Sequence, residues 1–293
     1  MDIKSLNIGL VGYGEVGKIF ARALLERGAG WVGYWDRLRI PPAAGVHACA
    51  SMADMLASAD LVFSAVTASQ AHAVADEAAR SIRKGTWFVD LNSCSPGTKV
   101  ESSCIIDAAG GRFVESAVMT SVPPYGIKVP MLLGGAHAKE LKALLDPLGF
   151  GTQVAAEKIG VASAIKMCRS VVIKGLEAIV VESFTTARRY GVEAEVLASL
   201  KETFPTLDWE EQGSYFFSRV AQHGKRRAEE MREVAVTVRE AGLEPFMAAA
   251  SAERQDWMAS VKDAAALGEV GRNANWREYA DRLLLTLADK VPN

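Results

Sequence analysis

Cysteine and histidine are scarce in this chain, with four of each among 293 residues. The cysteines are scattered along the sequence, without a C-x-x-C pair and without histidines that could complete a ligand set. This distribution argues against a disulfide framework and against a zinc site. We therefore expect no bound metal and a reducing, cytoplasmic location.

The chain also lacks a marked excess of one charge and any long apolar run. Its formal net charge of −2 gives no reason to expect nucleic acid or an anionic membrane as a partner. No apolar run approaches the ~20 residues that span a bilayer. Only five residues precede the first predicted strand, so we expect no signal peptide. What is present is a globular composition, 49% hydrophobic and 23% charged, of a length typical of two domains.

The most informative pattern is a glycine-rich turn near the start of the chain. An apolar run over residues 6–11 leads into Gly12-Tyr13-Gly14-Glu15-Val16-Gly17, and an amphipathic segment follows. In such a turn the first glycine permits a tight bend, the second lets a pyrophosphate approach, and the third lets the helix pack against the strand. The helix N-terminus attracts the phosphates. The sequence therefore predicts a dinucleotide-binding turn whose contacts come from Gly12, Gly14, Glu15, Val16 and Gly17.

An acidic residue ends the second predicted strand. Asp36 lies 19 residues after Gly17, where a carboxylate accepts hydrogen bonds from the adenosine ribose and repels a 2′-phosphate. This position favours NAD. Arg37 and Arg39 follow at once, and an arginine there could bind the 2′-phosphate, so NADP stays possible.

Small polar residues end two later strands. Val66 and Thr67 end a strand over residues 61–66, and Asn92 and Ser93 follow the next one. In doubly wound folds the carboxyl ends of the strands face the ligand crevice. We expect Val66, Thr67 and Asn92 to contact the cofactor and Ser93 to contact the substrate.

The hydrophobic pattern divides the chain into two parts. Up to about residue 155, short apolar strands alternate with amphipathic helices, which is typical of βαβ units on a mostly parallel sheet. Beyond about residue 158 long helical patterns follow, among them 208–221 and 224–241, which Gly224 separates. The sequence predicts an α/β fold in which an N-terminal doubly wound Rossmann domain, residues 1–158, precedes an all-α domain, residues 159–293.

One long helical pattern, beginning near Val161, carries a narrow polar stripe. At roughly 100° per residue, four residues fall on the side of Lys166. They are Arg169, Ser170, Lys174 and Glu177. Such a stripe is either a solvated face or the lining of a polar cavity. A lysine in a partly desolvated cleft has a lowered pKa, which suits proton transfer near neutral pH.

Four segments carry a resemblance to a known family. They are Gly12–Gly17, Asp90–Pro96, Phe113–Val118 and Gly160–Lys166. In this order they resemble the cofactor turn, the substrate-binding strand end, the strand before the substrate loop and the start of the catalytic helix in the β-hydroxyacid dehydrogenases. That group includes 3-hydroxyisobutyrate, tartronate-semialdehyde and 6-phosphogluconate dehydrogenases. The resemblance covers nearly the whole chain and places Lys166 at the family's catalytic lysine.

The resemblance implies a reaction in which a hydride passes between a nicotinamide cofactor and a β-hydroxy acid. Lys166 would take the hydroxyl proton during oxidation and return it during reduction. The family also implies a small-molecule substrate and a homodimer, in which helices of the α-domain pack between the subunits and close the active-site cleft.

Two departures from the family pattern fall at substrate-binding positions. The family usually has Ser-Gly-Gly in its substrate loop, where this chain has Met119-Thr120-Ser121. The family has asparagine four residues after the lysine, where this chain has Ser170. Arg169 and Lys174 are extra basic groups that could hold an anion through charge-assisted bonds. The residues expected to contact substrate are Ser93, Thr120, Ser121, Arg169, Ser170 and Lys174.

Other interpretations remain open at this point. Arg169 could instead pair structurally with Glu115 or Glu177. Aromatic residues within 209–217, or Phe246, could line a pocket for a larger or aromatic alcohol. An imine reductase shares the two-domain plan, although those enzymes do not generally carry the lysine. A non-catalytic dinucleotide sensor would need the glycine turn but would have no use for a lysine in a cleft.

Overall fold

The alternating pattern of the first half of the chain forms one eight-stranded sheet. The computed structural model describes residues 5–271 and 273–288. The strands are β1 Asn7–Val11, β2 Trp31–Trp35, β3 His47–Ala48, β4 Leu61–Ser64, β5 Trp87–Asp90, β6 Arg112–Val118, β7 Met131–Gly134 and β8 Thr152–Ala156. Their order is β3-β2-β1-β4-β5-β6-β7-β8, and only β6 and β7 pair antiparallel. The predicted doubly wound sheet is confirmed.

Five α-helices accompany the sheet within the described part of the first unit. They are α1 Glu15–Glu26, α2 Met52–Ser58, α3 Ala71–Ala79, α4 Pro96–Ala108 and α5 Ala138–Leu145. The central strands are buried on both faces: the consecutive residues Leu10 and Val11 of β1 and Val62 and Phe63 of β4, which point to opposite faces, are almost completely inaccessible to solvent. Near-continuous apolar runs of this kind are typical of parallel strands covered by helices on both sides.

The described residues that follow β8 are mainly helical. Their helices are α6 Val161–Tyr190, α7 Glu193–Thr203, α8 Trp209–Glu240, α9 Phe246–Val261 and α10 Trp276–Ala288. The chain divides into two compact units, and the division falls inside α6, between Cys168 and Arg169. The boundary predicted from the sequence, 158/159, lies where the sheet ends and the helical pattern begins. The core of the helical unit is aromatic, with Phe184, Phe217 and Trp276 almost fully buried.

Gly224 does not separate two helices, as its place in the sequence pattern suggests. It lies in the middle of the single helix α8. A Cβ atom at this position would lie 2.8 Å from the carbonyl oxygen of Gln255 and 3.3 Å from Cβ of Ala259, both on α9. The glycine therefore permits a close approach of two helix backbones. The prediction of a break was wrong because a glycine that breaks a helix and one that admits a neighbour give the same local signal.

The helices and the acidic, cysteine and histidine side chains of residues 5–271 and 273–288 bear on membrane and metal binding. None of the helices in these ranges is both long enough and apolar enough to cross a membrane. The same residues contain no group of three or more His, Cys, Asp or Glu side chains that could hold a metal ion.

Candidate active site

The three glycines of the turn are required for different reasons, two by the packing of the fold and one by the space that a ligand would need. Gly12 has φ +92°, and a Cβ there would lie 2.4 Å from the carbonyl oxygen of Ala65. A Cβ at Gly17 would lie 2.2 Å from the carbonyl oxygen of Gly12. Both glycines are therefore required by packing. Gly14 is different, because no other described part of the protein lies within 4 Å of the corresponding Cβ position. The open space at Gly14 suits the close approach of a pyrophosphate.

The first turn of α1 is available to an anion. Gly14 is its N-cap residue and supplies no capping side chain, and Gly14 and Glu15 are exposed. The first N–H groups of a helix have no partners inside the helix, and they carry the positive end of its dipole. Val16 is half-buried beside this turn.

Asp36 is held beside the glycine turn by two backbone bonds. One carboxylate oxygen accepts from the N–H of Tyr13 at 2.7 Å, and the other accepts from the N–H of Leu38 at 2.8 Å. Each oxygen of a carboxylate can accept a second hydrogen bond, so the acid retains capacity for ribose hydroxyls. Arg37 and Arg39 are both exposed.

Asn92 connects the ends of two neighbouring strands. Its Oδ1 accepts from the N–H of Val66 at 2.7 Å, and its Nδ2 donates to Asp90 at 2.6 Å and to Ser64 at 3.0 Å. Asn92 is buried, whereas Val66 is half-buried and Thr67 is exposed. The amide of Asn92 thus holds the shape of the strand ends, and its contact with the cofactor stays a prediction.

A buried ion pair supports this turn. Nζ of Lys99, on α4, lies 2.9 Å from a carboxylate oxygen of Asp90 and donates to the Asp90 carbonyl oxygen at 3.1 Å. Both side chains are only 2% exposed. The sequence reasoning missed Lys99. The sequence offered only the helical spacing of Lys99 from Ser102, Ser103 and Ile106, and the structure shows that this side of α4 is buried.

Lys166 and Ser93, predicted separately as catalytic and substrate-binding, contact each other. Nζ of Lys166 donates to Oγ of Ser93 at 2.6 Å in a partly buried setting. The two residues come from the start of α6 and from the turn that follows β5. In that turn the hydroxyl of Ser95 caps α4 by accepting from the N–H of Thr98, as its place before Pro96 suggests.

The start of α6 is fixed by the carboxylate of Glu115 on β6, which is fully buried. One oxygen accepts from the N–H groups of Gly160 at 2.7 Å and Ala162 at 3.1 Å. The other accepts from the N–H of Ser163 at 3.2 Å and from its hydroxyl at 2.7 Å. Sequence reasoning considered Glu115 only as a partner for Arg169. The available signal was an acid in the middle of a strand, between the apolar residues Phe113 and Val114 on one side and Ala117 and Val118 on the other.

The remaining residues of the basic stripe lie in the helical unit. Nζ of Lys174 pairs with Glu230, and Glu177 pairs with Arg227. Burial lowers the pKa of Lys174, and the nearby carboxylate of Glu230 opposes that effect. Both acids considered as partners for Arg169 are therefore engaged by other groups, and Arg169 itself is exposed. Ser170 is buried. Substrate contacts by Arg169, Ser170 and Lys174 stay predictions.

The loop after β6 presents Thr120 and Ser121. Thr120 is exposed, and Met119 and Ser121 are half-buried. The N–H of Met119 donates to the carbonyl oxygen of Pro130 at 2.9 Å, which extends the pairing of β6 with β7 by one residue. The loop therefore leaves β6 at a defined point.

Comparison with known families identifies the domain type. Residues 7–144 match a family model described as the NAD binding domain of 6-phosphogluconate dehydrogenase. Residues 187–258 match a domain of unknown function, DUF1932. The first match confirms the prediction of a dinucleotide-binding domain at the glycine turn.

Three similar proteins extend the likeness over most of the chain. An uncharacterized 28.5 kDa protein of Methanothermus fervidus is 32% identical over 253 residues, which is 83% of this chain and 94% of the relative. A conserved hypothetical protein of Sinorhizobium meliloti is 36% identical, with a TM-score of 0.76 over 96% of this chain and 97% of the other. A 3-hydroxyisobutyrate dehydrogenase of Mycobacterium tuberculosis, solved with L-serine, shares the fold at 16% identity, with a TM-score of 0.71 over 95% and 99%.

Replacing Gly14 by alanine should separate ligand binding from folding. We expect an unfolding temperature within about 2 °C of wild type, because the added Cβ meets no other described part of the protein. We expect NAD affinity to fall about tenfold or more, because the methyl group occupies the space for the pyrophosphate. Thermal unfolding and a fluorescence titration with NADH measure the two effects.

The matched control is Gly12→Ala, in which the new Cβ meets the backbone of Ala65 at 2.4 Å. This variant should lose stability as well as binding. Unchanged NADH affinity in Gly14→Ala would contradict the assignment of this turn to the cofactor.

Proposed function

Because this chain belongs to the β-hydroxyacid dehydrogenase superfamily, we propose that it is an NAD(P)-dependent dehydrogenase acting on the alcohol carbon of a β-hydroxy acid or a related alcohol. The observation that carries the proposal is the 2.6 Å contact between Nζ of Lys166 and Oγ of Ser93. It joins an amine and a hydroxyl from separate segments in the unit that carries the glycine turn. An amine and a hydroxyl together can bind an alcohol oxygen and move its proton.

In this proposal Lys166 is the general acid and base. During oxidation its neutral amine takes the proton of the substrate hydroxyl, and during reduction its ammonium returns that proton. The Ser93 hydroxyl accepts a hydrogen bond from Lys166 and still has its own proton to donate to a substrate oxygen. When bound, the nicotinamide cofactor accepts or supplies the hydride.

The proposed cofactor contacts follow the strand ends. The glycine turn and the first turn of α1, through Gly14, Glu15 and Val16, would hold the pyrophosphate. Asp36 would hold the adenosine ribose. Val66 and Thr67, which follow the end of β4, would lie along the nicotinamide half. We further propose that Ser93, Thr120 and Ser121 contact the substrate, and that Arg169, Ser170 and Lys174 supply further contacts.

Two other functions use parts of the same site. A non-catalytic dinucleotide sensor would need Gly12 to Gly17 and Asp36, but it would have no use for a lysine held against a serine hydroxyl. Imine reduction uses the same two-domain plan, yet it does not generally employ a lysine at this position. The Lys166–Ser93 contact therefore favours oxidation or reduction at an alcohol carbon.

Substitution of Lys166 tests the mechanism. The wild-type protein is screened with NAD⁺ and NADP⁺ against a panel of β-hydroxy acids that includes 3-hydroxyisobutyrate and L-serine, and reduced nicotinamide is followed by absorbance. With the best substrate, Lys166→Ala should lower kcat by a factor of about 10²–10⁴, the usual value of a general acid or base. Its affinity for NADH should not change. Ser93→Ala should lower kcat/KM by about tenfold, since it removes one hydrogen bond to an ionic group.

The matched control is Lys158→Ala, which removes an exposed lysine that lies shortly before α6. It should retain wild-type turnover. Undiminished turnover in Lys166→Ala would refute the mechanism and leave a nucleotide-binding protein of another function.

Asp36 should make NAD the preferred cofactor. Its carboxylate is held beside the glycine turn, where it would repel a 2′-phosphate. We expect NADH to bind at least tenfold more tightly than NADPH, a difference of about 1.4 kcal/mol. In Asp36→Ser the ratio of the two affinities should shift towards NADPH by about tenfold, because Arg37 then meets the phosphate without a competing acid. Tighter binding of NADPH by wild-type protein would overturn this reading.

We also propose a homodimer that covers an apolar stripe of the helical unit. Val172 and Ile179 of α6 are 60% and 50% exposed, and Leu285 of α10 is 70% exposed. Val172 and Ile179 are seven residues apart and so share one side of the helix. Exposed aliphatic residues in such a row are typical of subunit interfaces.

Substitution of the stripe tests the dimer. The double variant Val172→Glu/Ile179→Glu should be a monomer by light scattering under conditions in which the wild-type protein is a dimer. Val100→Glu, at a 43% exposed valine of α4, is the matched control and should leave the dimer intact. A wild-type protein that stays monomeric at high concentration would exclude the proposal.

A further inference from the structure

We propose that Glu115 is a positioning residue for Lys166: its buried carboxylate fixes the start of α6 and places a negative charge one helical turn before the amine. The inference rests on the proposed function, because it gives Glu115 a part in proton transfer by Lys166. It concerns only the unit that holds β6 and the start of α6.

The carboxylate completes hydrogen bonds that a helix cannot make for itself. The first N–H groups of any helix have no partners within it. At α6 those of Gly160, Ala162 and Ser163 donate to Glu115, at distances between 2.7 and 3.2 Å. The usual capping group is a side chain next to the helix start in sequence. Here it comes from 45 to 48 residues earlier, so the helix is tied directly to the sheet.

The opposite strand leaves room for this carboxylate. Glu115 on β6 pairs with Gly134 on β7. A Cβ atom at Gly134 would lie 2.3 Å from Oε1 of Glu115. The residue that faces Glu115 across the strand pair is thus the one residue type without a side chain. The glycine at position 134 therefore leaves the space that the side chain of Glu115 occupies.

On the other side, the neighbouring acid is already neutralised. Asp90 on β5 is the register partner of Glu115 on β6. Its carboxylate is paired with Lys99, and both side chains are almost inaccessible to solvent. Two adjacent buried carboxylates repel each other unless each has its own compensating group. Lys99 serves Asp90, and the N-terminus of α6 serves Glu115.

The attachment determines where Lys166 points. Ser163, whose N–H and hydroxyl both bind Glu115, lies three residues before Lys166 and so on the same side of the helix. A rotation of α6 by about 20° would move a group at its outer radius of about 5–6 Å by about 2 Å. Such a shift would break a 2.6 Å hydrogen bond between Lys166 and Ser93. Glu115 removes this freedom.

The charge has a second effect. The N-terminus of a helix carries a partial positive charge, which disfavours an ammonium nearby. Because the Glu115 carboxylate offsets that charge, its removal should let the amine of Lys166 lose its proton at lower pH. A role confined to stability would not change this property of Lys166.

The test follows Lys166 by chemical labelling, which needs no knowledge of the substrate. Reductive methylation of Lys166 by formaldehyde and cyanoborohydride is measured against pH by mass spectrometry in the full-length wild-type protein and in Glu115→Gln. The glutamine has the same shape but no charge. We expect the pH midpoint for labelling to fall by about half a unit, the size of effect that a charge at a helix terminus has. Amide exchange at Ala162 and Ser163 should rise about tenfold or more.

Two further variants separate charge from position. Glu115→Asp keeps the charge but shortens the reach, so exchange at Ala162 and Ser163 should rise while the pH midpoint stays close to wild type. Ser163→Ala removes the hydroxyl contacts to Glu115 at 2.7 Å and to the carbonyl oxygen of Gly160 at 3.1 Å but keeps the backbone N–H bonds, so it should shift exchange in the same direction by a smaller amount. It also provides a readout if Glu115→Gln does not fold.

Asp208→Asn is the matched control, because Asp208 caps α8 by accepting from the N–H groups of Glu210 and Glu211. It should cost stability without changing the labelling of Lys166. An unchanged pH midpoint in Glu115→Gln, or an equal change in Asp208→Asn, would overturn the inference. Neither result would affect the proposed function, which fails instead if Lys166→Ala retains full turnover.

Discussion

The carboxylate of Glu115 accepts hydrogen bonds from three backbone N–H groups and one hydroxyl at the start of α6, and the residue has no surface exposed to water. The geometry around Lys166 follows from this attachment. With the first turn of α6 fixed to β6, the amine reaches the Ser93 hydroxyl. Near the same place, Gly160 brings α6 against Pro96, where α4 begins; a Cβ there would lie 3.3 Å from Cβ of Pro96. The two helix starts therefore pack closely against each other at this point.

Two neighbouring acids at the edge of the sheet each position one residue of the candidate site. Asp90 and Glu115 are register partners on adjacent parallel strands. Asp90 binds Lys99 and the amide of Asn92, and so shapes the turn that carries Ser93. Glu115 binds the start of the helix that carries Lys166. Each member of the Lys166–Ser93 contact is therefore held by a separate buried carboxylate, and each carboxylate has its own compensating positive charge.

The parts of the site that lie in contiguous sequence motifs could be predicted from the sequence. The glycine turn and Lys166 lie in contiguous motifs, and the order of strands and helices follows from hydrophobic periodicity. Glu115 and Lys99 were missed as supporting residues, because their partners lie on other elements and no local pattern links an acid on one strand to a helix start 45 residues later. Gly224 was misread for a related reason: its role depends on α9, whose approach no window of sequence around α8 reveals.

The energetics of buried charges explain why these residues contribute more to the geometry of the site than to the stability of the fold. A buried ion pair such as Asp90–Lys99 gains little net free energy, since the desolvation of both charges offsets most of their attraction. An apolar pair of similar volume would pack as well. Glu115 differs in one respect, because its removal would leave backbone N–H groups of α6 buried without partners, at about 1–3 kcal/mol each. An amide at this position still accepts hydrogen bonds but carries no charge. The carboxylate is therefore the group that both completes the helix and compensates its dipole; the first property fixes the position of Lys166, and the second acts on the charge of its amine.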